Sequence, residues 1–169
     1  MPPRAVYGIS IVFSFMAWGM VTARYVWPAL RTLPRVRALR PLLVLHGFRF
    51  IGFAFLIPGV VSPDVPIAFA RPAAYGDLLT TVLVWLALAL LQSRLGRVVV
   101  WVGNGCGTAD LLYAFSQGNR TGLGYAPGPL GATYFIPTIL VPLLLITHGL
   151  VFRLLLTRDG AGTGRTRPS

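Results

Sequence analysis

Lysine and glutamate are missing altogether from this chain of 169 residues, and cysteine occurs once. Without lysine no Schiff base can form, which excludes a retinal-type pump and amine-based covalent catalysis. A single cysteine, Cys106, excludes an intramolecular disulfide and any cysteine-rich metal site. Acids are nearly as scarce: the carboxylates are Asp64, Asp77, Asp110 and Asp159. Charged residues make up only 11% of the chain, against roughly a quarter in ordinary soluble domains. Acid–base chemistry is therefore limited to four aspartates, His46, His148, six tyrosines and one thiol.

Apolar surface is what the chain has in quantity, at 55% of its residues. A small soluble domain cannot hide that much, because its volume is low for its surface. A polytopic integral membrane bundle resolves the conflict. Five apolar segments, at 5–25, 42–61, 75–93, 97–117 and 131–154, read as helices. Each approaches the ~20 residues that cross ~30 Å of hydrocarbon. Helices also satisfy their own backbone hydrogen bonds, as lipid demands. The expected fold is all-α, a single five-helix transmembrane domain over 1–156. The polar tail 157–169 has the composition of a disordered cytoplasmic segment.

Arginine placement predicts the topology. Eleven arginines (24, 31, 35, 37, 40, 94, 97, 153, 158, 165 and 167) fall on one side of the spans, and three (4, 71 and 120) on the other. That bias puts the N-terminus outside and the C-terminus in the cytoplasm of a bacterial inner (plasma) membrane, with the first span a retained anchor. The net charge of +11 forms no single basic face, so anionic lipid head groups are the expected partner and nucleic acid is not. The outer connections, 62–74 and 118–131, are rich in Pro and Gly and suit ordered turns folded over the outer mouth. No internal repeat is visible, which leaves an inverted-repeat transporter without support.

Helix rise converts position into depth. At 1.5 Å per residue, His46 lies ~9 Å beyond Arg40, His148 ~7.5 Å before Arg153, Asn104 ~10 Å beyond Arg97, and Trp18 ~9 Å before Arg24. Four helices thus offer a polar or amphipathic side chain at one level. Arg49 sits one turn above His46 on the same face. Asp110 is within reach of its long guanidinium, and the two are the only opposite charges expected deep in the membrane. Asp77, at the outer start of span three, suits a helix cap or dipole partner. Gly103 and Gly107 suit close helix packing, or with Gly105 an unwound stretch exposing carbonyls. Pro137 and Pro142 should bend span five, so that Thr138 and Tyr113 line a cavity with Asp110.

Three functional readings follow. In the first, His46, Arg49, Asn104, Asp110, Tyr113, Thr138 and His148 bind a small apolar or amphipathic ligand, with Arg49 meeting an anionic group on it. An ion or proton path is a variant of this reading, and five helices per chain would then call for a homo-oligomer. In the second, His46 and His148 are axial ligands of a b-type haem, with Arg49 near a propionate. In the third, the polar layer serves only helix pairing in a structural or accessory subunit.

Overall fold

The computed structural model describes residues 1–157; the tail expected to be disordered lies outside the described residues from position 158 onward. Within them the chain is all-helical. Five helices are long and apolar enough to cross a membrane: α1 Pro3–Leu30, α2 Arg35–Leu56, α3 Ile67–Ala89, α4 Arg94–Arg120 and α5 Ile136–Leu156. Successive helices run in opposite directions. The guanidinium of Arg153 covers the Trp27 ring at 3.8 Å, and Arg35 donates to the carbonyl of Thr157. These contacts mark an arginine-rich end. At the other end Arg4 covers the Tyr125 ring at 4.9 Å.

Helix α3 starts well before position 75, the boundary expected from its prolines and Arg71. Pro66 occupies its N-cap, and Pro72 is carried inside the helix. Pro66 lacks only an N–H that would have no helical partner, whereas Pro72, the sixth helical residue, forgoes one bond to the Ala68 carbonyl. The consequence is that Asp77 lies in mid-helix. The cap role expected for it is corrected accordingly.

Helix α2 changes its winding at His46. Arg35–His46 is α-helical, and Gly47–Leu56 continues as a 3-10 helix. With three residues per turn, every third side chain falls in line. His46, Arg49, Gly52 and Phe55 form that line and are all buried, while Phe48, Phe50 and Ile51 are exposed. Winding thus aims Arg49 inward.

Helix α5 begins at Ile136, where a π turn over Ile136–Leu140 absorbs Pro137 and Pro142; the amide of Val141 reaches back to the Ile136 carbonyl. The preceding residues, Gly128–Tyr134, form 3-10 turns broken at Gly131 and join a cap. Ser62 N donates to Pro129 O (2.9 Å) and Ala132 N to Val60 O (3.0 Å). Gly131 makes this crossing possible, with φ of 52° and a position where a Cβ would lie 2.5 Å from Val60 O. Glycine alone adopts that backbone without strain.

Two apolar cores sit on either side of a polar layer. Leu39, Leu43, Val84, Ala87, Val100 and Val151 pack toward the arginine-rich end. Phe55, Phe69, Leu111, Leu123, Leu130 and Val141 pack toward the capped end. Helix α1 stands apart: Pro3–Val21 buries no residue. It is tied to the bundle by Ser10 to the Tyr134 hydroxyl (3.2 Å), Trp18 Nε1 to Ile139 O (3.2 Å) and an edge contact between Tyr7 and Tyr134. Space opens along its inner side.

Candidate functional site

Arg49 is the centre of the polar layer, with a side chain 0% exposed. Its Nε donates to Asp77 Oδ1 (2.6 Å) and its Nη2 to Asp110 Oδ2 (2.6 Å). Nη1 donates to the Gly107 carbonyl (3.0 Å) and faces His148 Nε2 (3.2 Å). A guanidinium only donates, so His148 Nε2 accepts. Four helices meet at one side chain: α2 provides it, and α3, α4 and α5 provide its partners.

Three glycines make the room. A Cβ on Gly52 would collide with the Asp77 carboxylate, and one on Gly76 with the Asp110 carboxylate. One on Gly107 would lie 2.7 Å from Arg49 Nη1 and 2.8 Å from His148 Cε1. Gly103 does serve packing, its added Cβ lying 3.3 Å from Leu83 Cβ, whereas Gly105 faces open space. The glycine run stays helical, so the unwound stretch considered for span four does not occur.

The histidines are fixed by neighbours. Asn104 Nδ2 donates to the His148 carbonyl (3.3 Å), which leaves Asn104 Oδ1 to accept from His148 Nδ1 (2.7 Å). Thr147 Oγ1 donates to its own helix, at Leu143 O (2.9 Å) or Leu144 O (3.0 Å), and so accepts from His46 Nε2 (3.2 Å). Both rings therefore fit the neutral form. They stack with centroids 4.0 Å apart and planes at 34°. Axial ligands of a haem must be separated by the iron, by two metal–nitrogen bonds of roughly 2 Å each, and by the macrocycle lying between the rings. No such gap exists here, and Thr147, Asn104 and Arg49 engage three of the four ring nitrogens. These residues do not fit a haem.

A cavity of 390 Å³ approaches the cluster from the capped end. It begins at Arg4, Asn119 and Tyr125, passes between Tyr7 on α1 and Phe69 and Phe115 on the bundle, and reaches Asp77 and Asp110. The carboxylates border this space, with side chains 10% and 13% exposed. Arg49 lies behind them. Its donors are directed at protein groups, which corrects the expectation that it meets an anion on a ligand. A second cavity, of 210 Å³, lies between α1, α2 and α5 near the arginine-rich end, walled by Trp18, Leu42 and Leu143 and lined also by Thr22 and Thr147.

Of the residues singled out in the sequence, His46, Arg49, Asn104, Asp110 and His148 come together. Tyr113 does not: it is 48% exposed and bonds Gln117 on its own helix. Thr138 is buried but tied to Tyr134 O (2.7 Å), away from the cavity lining. Asp77 is the functional candidate that sequence reasoning missed. A usable signal existed, since Ala70, Ala73, Ala74, Asp77, Thr80, Thr81, Val84 and Ala87 form one buried stripe at helical spacing.

No curated protein and no solved structure matches the chain. The model of a family described as a domain of unknown function, DUF8737, matches residues 6–156, which takes in the Arg49 cluster, the cavity lining apart from Arg4 and nearly all of the five helices, and the chain belongs to that family.

Proposed function

We propose that this is a multi-pass protein of a bacterial plasma membrane, N-terminus outside, that binds a small amphipathic molecule in the cavity beside α1. The observation that carries the reading is a cavity of 390 Å³ with aromatic and aliphatic walls and two carboxylates at its inner end. Ligand sites typically span about 300–1,000 Å³ and combine apolar walls with a few placed polar groups. The arginine bias supports the orientation, with the cavity mouth on the outer side and anionic lipid head groups around the arginine-rich end. Closely packed interiors leave few voids of this size without use.

A second reading is favoured by the engagement of Arg49 with three other helices. In it, the cluster only selects helix neighbours and the cavity is incidental.

The two readings separate on the cavity alone. Ala114 lines it, and Ala114→Trp would fill it. Binding of benzylammonium, benzyl alcohol and benzoate to protein in lipid nanodiscs is measured by saturation-transfer NMR. At least one probe is expected to show a saturable component in the wild type that Ala114→Trp lacks. No such component, or one unchanged in the variant, rejects the binding reading.

A further inference from the structure

With both aspartates ionised, the cluster is short of one positive charge. Arg49 contributes one cation, and Asp77 and Asp110 contribute two carboxylates within 2.6 Å of it. The histidines do not make up the difference. His148 donates from Nδ1 to Asn104 and offers the Nε2 lone pair to Arg49, while His46 donates from Nε2 to Thr147. His46 Nδ1 is buried with no hydrogen-bond partner among the described residues, so a second proton there would add an N–H with no acceptor among them. From α1, the groups facing the cavity are the neutral Tyr7 hydroxyl and Arg4, which is exposed at the mouth and stacked on Tyr125. Arg4 is therefore screened by water, as charges at the inner end are not.

An uncompensated carboxylate away from water is expensive. Each aspartate gives one oxygen to Arg49. Asp77 Oδ2 and Asp110 Oδ1 accept no hydrogen bond from the described residues and rest against Gly52 and Gly76. The exposed parts of both side chains border the cavity. On the way to them a ligand passes the rings of Tyr7, Phe55, Phe69 and Phe115. Aromatic faces attract ammonium groups and suit an apolar body. A metal ion is a poorer match, because among the described residues no group of three or more His, Cys, Asp or Glu could hold one.

We infer that the cavity takes an organic cation, a protonated amine on an aromatic or aliphatic body, whose charge lies against Asp77 and Asp110 and completes the Arg49 cluster. The inference rests on the binding reading above and names the ligand class for the same site. Arg49 then acts as the internal counter-charge that lets two carboxylates sit side by side, and recognition falls to the aspartates.

The experiment ranks the three phenyl probes, which share a skeleton and differ in charge, on wild type, Asp77→Asn and Asp110→Asn in nanodiscs. Benzylammonium is expected to bind at least about tenfold tighter than benzyl alcohol, with benzoate weakest, since a charge-assisted contact adds on the order of 1.4 kcal/mol or more. Each Asn variant should bring benzylammonium down to the level of the alcohol and leave the alcohol unchanged. The wild-type ranking suffices if a variant does not fold. Equal affinity for amine and alcohol overturns the inference and leaves a proton as the missing charge. Tightest binding of benzoate overturns it too, by making Arg49 the receptor; in both cases the binding reading stands. Absence of saturable binding by every probe removes both.

Discussion

The two cavities beside α1 differ less in size than in what closes them. The one toward the capped end reaches Asp77 and Asp110, backed by Arg49. The one toward the arginine-rich end is walled by Trp18, Leu42 and Leu143, and its nearest link to the polar layer is the Thr147 hydroxyl bonded to His46. Both exist because α1 packs loosely. Space beside a lightly held helix is therefore common to the two ends, and charge belongs to one. The comparison teaches that the cluster, and not the void, is what makes one end a candidate site.

The largest effect is expected from removing the cation. Arg49→Met leaves the buried Asp77 and half-buried Asp110 carboxylates without their shared cation and should lower stability by about 3–5 kcal/mol, the usual cost of breaking a buried ion pair from one side. Denaturant unfolding in mild detergent measures it. A loss below about 1 kcal/mol would mean that the carboxylates reach water or protonate at no cost.

A smaller loss follows from closing the space the cluster needs. Gly76→Ala sets a methyl group where Asp110 sits, and overpacking of this kind costs about 1–3 kcal/mol. Gly105→Ala on the neighbouring helix has nothing within 4 Å and should leave stability unchanged or raise it by up to about 1 kcal/mol, the helix-propensity gain of Ala over Gly. Equal melting shifts for the two would show that glycine matters here for the backbone alone. The smallest effect belongs to the other cavity. Thr22→Val, in its lining, should change both stability and probe binding little, and weakened benzylammonium binding in that variant would erase the distinction between the two ends.

Much of this arrangement was legible from residue types and positions. Helix rise brought His46, His148 and Asn104 to one level and Arg49 within reach of Asp110, because a helix makes depth nearly proportional to position. Asp77 escaped for a local reason: Pro66, Arg71 and Pro72 look like a loop, yet a helix starting after Pro66 tolerates all three. The 3-10 winding of Gly47–Leu56 was likewise hidden, since its length departs from the short runs typical of that helix. Only the period-three line of His46, Arg49, Gly52 and Phe55 hints at it. Gly52 and Gly76 carried no signal at all; their role depends on carboxylates arriving from other helices. Two histidines at one depth allow a haem between them, and ring centroids 4.0 Å apart leave no room for the macrocycle.

The central claim is that Arg49 is the counter-charge of Asp77 and Asp110. Its most direct test is the unfolding free energy of Arg49→Met compared with that of the triple variant Arg49→Met, Asp77→Asn, Asp110→Asn, which removes every charge from the cluster and keeps the shape of the two acids. If the claim holds, the triple variant is more stable than Arg49→Met and recovers most of its loss, because no charge is left buried without a partner. If the triple variant instead falls by the sum of its single substitutions, the three side chains are not coupled and the account is contradicted.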